Sequence, residues 1–322
     1  MKNFLVKILL FFSLLVSTEL LIICLPTPVS LKKSLYFSKL DKDSLLQAVN
    51  EPRIIFIGGS NLSFGLNGQL LKDSLKMNPI NTGIHANLGI IFMMDEVSKY
   101  IQKGDIVILV PEYENFYGNT AWGGSGYELL VTTLEVTHRY LQLRPKQLIS
   151  TFKYFSQYTR AKINPRNYMT LSDPNDIYSR SSFNNFGDAK NHWSMGRVPG
   201  SYASTDFGTT FNTELISEIS QFKLRTEKKG AALLFSFPCT QETNSETAKK
   251  DIKEVEDHIR RTGINVLGTP RTYMYSDSLM FNSTYHLTKK GAELRTIQLI
   301  KELRIFLNET RVHSLPPRNR TE

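Results

Sequence analysis

Residues 51–65 read Glu-Pro-Arg-Ile-Ile-Phe-Ile-Gly-Gly-Ser-Asn-Leu-Ser-Phe-Gly, and residues 281–287 read Phe-Asn-Ser-Thr-Tyr-His-Leu. The first stretch delivers Ser60 from the apolar run Ile54–Ile57 through a Gly-Gly turn into a helical pattern. The second sets His286 just before the last amphipathic helix. A serine hydroxyl is a weak nucleophile until an imidazole takes its proton, so this pair supplies two parts of a nucleophilic site. Gly58 and Gly59 are expected to let the backbone turn tightly, leaving Ser60 exposed at the head of a helix. In open α/β sheets, chemistry collects at the carboxyl ends of strands, where that turn would lie.

The rest of the chain supplies the elements such a site needs. Strands are expected at Ile54–Ile57, at Pro79–His85 with its exit loop, at Asp105–Pro111, at Ala231–Phe237 and at Ile264–Leu267. Helices are expected at Leu66–Lys76, Leu88–Gln102, Thr213–Lys229, Thr247–Arg261 and Leu287–Leu307. This alternation predicts an α/β fold with a parallel sheet covered on both faces. Residues 116–209 interrupt it as an insertion on the active-site side of the sheet, with a helical pair across Glu128–Lys162; a lid and a plain packing excursion both fit. Its aromatic stretch, Phe116–Tyr127, suits sugar stacking.

The N-terminus reads as a membrane signal. Lys2 and Lys7 flank the run Phe4–Leu25, which is long enough to cross a bilayer. Residues 1–25 are therefore expected to be a transmembrane anchor or uncleaved signal, since Leu-Pro-Thr-Pro-Val-Ser makes a poor cleavage site. Residues 26–50 read as a linker, and residues 311–322 as a disordered tail. The following domain would then lie outside the cytoplasm, on the outer face of the membrane or in the periplasm.

Composition narrows the function. The net charge of +9 has its densest patches, Lys32-Lys33 and the Arg-rich tail, at the ends, and no basic stripe is interleaved with aromatics, so nucleic acid is not an expected partner. Only Cys24 and Cys239 occur, which leaves no disulfide framework and no cysteine metal site; Cys239 reads as a buried small hydrophobe. No His/Asp/Glu cluster has metal-ligand spacing, and the glycines fit neither a P-loop nor a dinucleotide fingerprint, so no metal or cofactor is expected. Glu112 and Glu114 follow the third strand and could pair as in glycosidases or stand as solvated loop carboxylates. His85 sits at the exit of the second strand, either lining the same mouth or serving structure.

Gly58-Gly59-Ser60-Asn61-Leu62, Asn81-Thr82-Gly83 and Tyr285-His286-Leu287, in this order of elements, resemble the SGNH (GDSL-type) hydrolases over roughly residues 51–310. More narrowly they resemble the membrane-anchored envelope branch that includes alginate acetylation and teichoic-acid alanylation proteins. The resemblance implies a three-layer, doubly wound, mostly parallel five-stranded sheet. It implies Ser60 as nucleophile, His286 as general base, and the N–H groups of Ser60 and Gly83 as the oxyanion hole. The family usually carries Asp about three residues before the histidine. Here Ser283 and Asn282 stand in that region, and the nearest upstream acid is Asp277, so Asn282 becomes the expected orienter of the imidazole. The family's Gly-x-Asn-Asp block is replaced by Val-Pro-Glu-Tyr-Glu-Asn at residues 110–115, which makes Glu112 and Asn115, with Asn61 and His85, the residues expected to line the site.

Two functions follow. One is a membrane-anchored serine esterase or O-acyltransferase acting on acyl groups, acetyl foremost, of an envelope or exported polysaccharide, with a membrane-bound O-acyltransferase as an implied partner. The other is a non-catalytic module of the same fold that binds glycan or supports assembly.

Overall fold

Fully buried apolar runs suit the central strands of a parallel sheet, and Ile54–Ile57, Ile106–Val110 and Leu233–Phe235 hold that place here. This computed structural model describes residues 2–124, 126–169, 176–198, 200, 207, 210–243 and 245–314. The strands are β1 (Arg53–Gly58), β2 (Asn78–Asn81), β3 (Ile106–Val110), β4 (Ala232–Ser236), β5 (Thr240–Gln241), β6 (Asn265–Leu267), β7 (Met274–Tyr275), β8 (Met280–Ser283) and β9 (His286–Leu287). The main sheet has the order β2-β1-β3-β4-β6 and is parallel throughout. β5 pairs with β7, while β8 and β9 form a small antiparallel hairpin. The chain leaves β1 for β2 on one side and β3 on the other, so the order reverses between β1 and β3. That reversal is where an open α/β sheet leaves a crevice at its carboxyl edge.

Three helices precede the sheet, α1 (Lys2–Ile23), α2 (Val29–Lys33) and α3 (Ser38–Ala48). α4 (Ser60–Ser63) and α5 (Gly68–Leu75) follow β1, and α6 (Ile90–Ser98) follows β2. Between β3 and β4 come α7 (Tyr127–Val131), α8 (Pro145–Phe152), α9 (Phe155–Ile163), α10 (Arg166–Met169) and α11 (Thr213–Lys228). α12 (Glu246–Arg261) and α13 (Lys289–Ser314) complete the set. Side chains alternate across the sheet with period two. Ile54, Phe56, Ile108 and Leu234 pack with Leu71, Leu299 and Leu303. Ile55, Ile57, Leu109 and Phe235 pack with Ile91, Ile219 and Val255.

One buried ion pair locks the start of the sheet. Arg53 Nε donates to Asp105 Oδ1 at 2.8 Å and Nη2 to Oδ2 at 2.5 Å, with neither side chain exposed. Nη1 also donates to the Leu46 carbonyl (2.8 Å) and Nη2 to the Tyr100 carbonyl (2.9 Å). α3 is thereby fastened to β1.

Four expectations are revised. Residues 26–50 are not a simple linker: Leu35, Phe37, Lys42 and Leu46 are buried, and Lys42 Nζ donates to the carbonyls of Asn81 (2.9 Å) and Gly187 (2.6 Å). The segment 128–162 is not a helical pair but α7, which runs on through a π-turn at Thr132–Val136, followed by α8 and α9. Phe116, Tyr117 and Trp122 are buried at 0, 4 and 5% exposure, so these aromatics of the Phe116–Tyr127 stretch serve the core and not a sugar-stacking surface. α13 extends to Ser314, into the stretch expected as tail; residues 315–322 lie outside the described residues.

Removing one partner of a buried, bidentate ion pair leaves the other charge desolvated and alone. Asp105→Ala is expected to destabilise the fold by about 3–5 kcal/mol, measured by denaturant unfolding, whereas Asp257→Ala, in an exposed i,i+4 pair with Lys253, leaves the unfolding midpoint nearly unchanged.

Candidate active site

The glycines before Ser60 are required by space, not by backbone angle, since neither has a positive φ. A Cβ on Gly58 would lie 2.4 Å from the Val110 carbonyl oxygen; one on Gly59 would lie 2.5 Å from Glu112 Oε1 and 2.8 Å from Ala86 Cα. The strand exit is thus pressed against β3 and the β2 loop. Ser60 opens α4 in that squeeze, and among the described residues nothing hydrogen-bonds to its Oγ.

Asn61 fixes this turn. Its N–H donates to Glu112 Oε1 (3.0 Å) and its Nδ2 to the Val110 carbonyl (3.1 Å). Its carbonyl and Oδ1 both accept from Arg295, at 2.6 and 3.0 Å. Asn61 is fully buried, so it pins the site from behind and does not line it. Arg295, on α13, was not singled out by sequence reading. A buried guanidinium nearly invisible to solvent leaves no local signal in a helix that is otherwise amphipathic.

The second strand's exit is equally committed. Asn81 Nδ2 donates to the Leu62 carbonyl and to Asp188 Oδ1, both at 2.9 Å, while its Oδ1 accepts the Gly83 N–H at 3.0 Å. Gly83, expected in the oxyanion hole, therefore has its N–H engaged by a side chain. Its carbonyl accepts from Ser63 Oγ at 2.7 Å. Asp188, from the insertion, is buried and also accepts the Gly68 N–H (2.7 Å); burial raises its carboxyl above the usual range. This part of the insertion is a wall of the fold and not a lid.

His286 is carried on the β8–β9 hairpin. The Leu287 N–H donates to the Phe64 carbonyl (3.2 Å), and the His286 ring stacks on Phe64 with centroids 4.2 Å apart. Both contacts place the hairpin against the turn that Ser60 opens. From behind, the Cys239 thiol donates to the Tyr285 carbonyl (2.9 Å), and Tyr285 Oη donates to Glu114 Oε2 (2.6 Å). Burial pushes the Cys239 thiol up to about 11 and the Glu114 carboxyl up to about 7.

Asn282 lies at the imidazole. Its Oδ1 is 2.8 Å from His286 Nδ1, and its Nδ2 donates to Tyr178 Oη at 2.8 Å. With the amide oxygen facing the ring, Nδ1 carries the hydrogen and Nε2 keeps its lone pair, the tautomer a general base needs. No described residue occupies that Nε2. His192, which sequence reading passed over, donates from Nε2 to the Leu287 carbonyl (3.1 Å) and packs 5.0 Å from the Phe64 ring; its buried Nδ1 has no partner among the described residues. Burial drives both imidazoles toward the neutral form: His192 falls to about 4, and His286 to about 3, with neighbouring His192 and His85 adding repulsion.

The other residues expected to line the site are His85, Asn115 and Glu112. His85 is half-buried, and its Nδ1 accepts the Asn87 N–H at 3.1 Å. Asn115 is buried, accepting from the Ile90 N–H and donating to the Glu112 carbonyl at 3.3 Å each, so it holds the start of α6. Glu112 is 1% exposed, and its Oε2 has no partner among the described residues. It is a buried carboxylate beneath the serine turn, not a solvated loop residue. Asp277, the nearest upstream acid, is tied to Arg197 at 2.5 Å and does not serve the imidazole.

The lowered value keeps His286 neutral well below the ordinary histidine range. Histidine-selective NMR is expected to show its ring uncharged at pH 5, where an unperturbed histidine (pKa ≈ 6.5) is almost wholly protonated. Asn282→Asp sets a carboxylate against Nδ1, stabilises the imidazolium and moves the titration upward.

No protein-family model matches this chain, and no curated protein matches it either.

Proposed function

We propose that this protein is a membrane-anchored serine esterase or O-acyltransferase of SGNH type, with its domain outside the cytoplasm and an acylated envelope or exported polysaccharide as substrate. The single observation that carries this reading is the His286–Asn282 contact: an imidazole oriented through Nδ1, with Nε2 unengaged, on a hairpin bonded to the turn that Ser60 opens. The parallel sheet with apolar clusters on opposite faces suits the three-layer, doubly wound arrangement of that family. The apolar helix α1 suits an anchor.

In this mechanism Ser60 Oγ attacks the acyl carbonyl while His286 Nε2 takes its proton. The proton then passes to the departing sugar oxygen, leaving an acyl-serine. Water or a second sugar hydroxyl, deprotonated by the same nitrogen, releases the acyl group. The Ser60 N–H, at the head of α4, is the oxyanion donor this requires. Asn282 aligns the ring but adds no negative charge, so it stabilises the imidazolium less than a carboxylate would. The glycan, the acetyl group and a membrane-bound O-acyltransferase partner follow from the family resemblance.

A second reading, a catalytically silent glycan-binding or assembly module, draws on one observation. The Gly83 N–H, the second oxyanion donor of the family, is held by Asn81.

The two readings separate on turnover. With detergent-solubilised full-length protein and an aryl acetate, Ser60→Ala and His286→Ala are each expected to lower kcat/KM by about a thousandfold or more at unchanged melting temperature. Wild-type protein that is folded yet no faster than either variant would favour the silent module.

A further inference from the structure

A transmembrane helix of 22 residues is about 33 Å long, close to the thickness of a bilayer's hydrocarbon core. If α1 spans, what packs beside its last turns must share its depth. Those turns are not free. Lys162 Nζ donates to the Ile23 carbonyl (3.0 Å), Tyr168 Oη to the Pro26 carbonyl (3.0 Å), and Thr27 Oγ1 to Glu135 Oε2 (2.7 Å). Glu135 is in turn buried against Lys162 and Tyr158. The exit of α1 is therefore bolted to α7, α9 and α10 and is no swinging tether.

Beside this joint runs a groove of about 1040 Å³ between α1 and the insertion, lined on α1 by Leu15, Leu20 and Ile23 and on the insertion by Leu134, Leu141 and Phe152. Leu15 to Ile23 covers about 12 Å of helix, so the facing insertion sits that far within the span. Its apolar residues stand out and not in: Leu141 is 90% exposed, and Ile149 and Phe152, three apart on one face of α8, are 75% and 76% exposed. Arg139, Tyr140 and Lys153 line the same groove, residue types that sit at the headgroup level. The one acid lining it, Glu19, belongs to α1 itself.

We propose that Leu141, Ile149 and Phe152 form a second membrane-contact surface, immersed in the outer leaflet beside α1. It holds the domain at a fixed height and tilt on the bilayer. The occupant is lipid because the surface is continuous with the spanning helix, at its depth, and edged by basic and aromatic residues. This inference rests on the reading of α1 as a membrane-spanning helix, and it is independent of catalysis at Ser60.

The test uses full-length protein in a Cys24→Ser background, where Cys239 is buried and out of reach of label. Single cysteines at Leu141, Phe152, Leu14 on α1 and Leu224 on α11 carry an environment-sensitive fluorophore. The protein is reconstituted in phosphatidylcholine–phosphatidylglycerol vesicles with nitroxide-bearing acyl chains. Labels at Leu141 and Phe152 are expected to be blue-shifted and quenched as strongly as that at Leu14, while Leu224, 64% exposed on α11, stays unquenched. Quenching at Leu14 but not at Leu141 and Phe152 would overturn the second surface and leave the anchor intact. No quenching at Leu14 would overturn both.

Discussion

The candidate site depends on Asn61, a buried residue whose backbone and side chain tie its own turn to two other elements at once. Through its N–H and Nδ2 it is tied to the end of β3; through its two oxygens it is tied to Arg295 of the closing helix. A guanidinium in a dry interior must find acceptors for its hydrogens, and a carboxylate there must find donors. Arg295 and Glu112 meet on the same asparagine, which gives the guanidinium two acceptors and Glu112 Oε1 one donor. The serine turn is fixed as a result, because moving Asn61 would strand a charge on either side. Packing reinforces this, with Gly58 and Gly59 in spaces where a methyl group would collide with Val110 and Glu112.

The same logic holds the histidine. The β8–β9 hairpin is bonded to Phe64, Cys239 and Glu114, so its position relative to the serine turn is set by main-chain and side-chain contacts together. Asn282 then decides the tautomer. An amide orienter gives direction without charge, and burial next to two other histidines gives no compensating stabilisation of the cation. His286 is consequently oriented through Nδ1 by Asn282, while burial keeps its ring neutral and makes it a weak base.

Much of the frame was legible in the sequence because its signals are local. Ile54–Ile57 and Asp105–Pro111 announce strands by composition, and α11 and α12 fall within a residue or two of their amphipathic patterns. Ser60 and His286 stood out because the spacing of turn, strand and helix frames them, and Asn282 because of the family resemblance alone. What escaped was non-local. Nothing near Arg295 or Asp188 in sequence tells that each is buried against a turn more than a hundred residues away. Residues 26–50 read as a polar linker, since Lys42 looks solvated until its partners, the carbonyls of Asn81 and Gly187, are brought beneath it. The aromatics of Phe116–Tyr127 misled for the opposite reason: residues suited to stacking on sugars are equally suited to filling a core.

The central claim is that Ser60 is an activated nucleophile, and the most direct measurement is intact-mass analysis after treatment with an aryl-phosphonate, followed by peptide mapping. The account predicts one stoichiometric adduct, located on Ser60 and absent in His286→Ala. A folded protein that takes up no phosphonate, or takes it up at another residue, would contradict it.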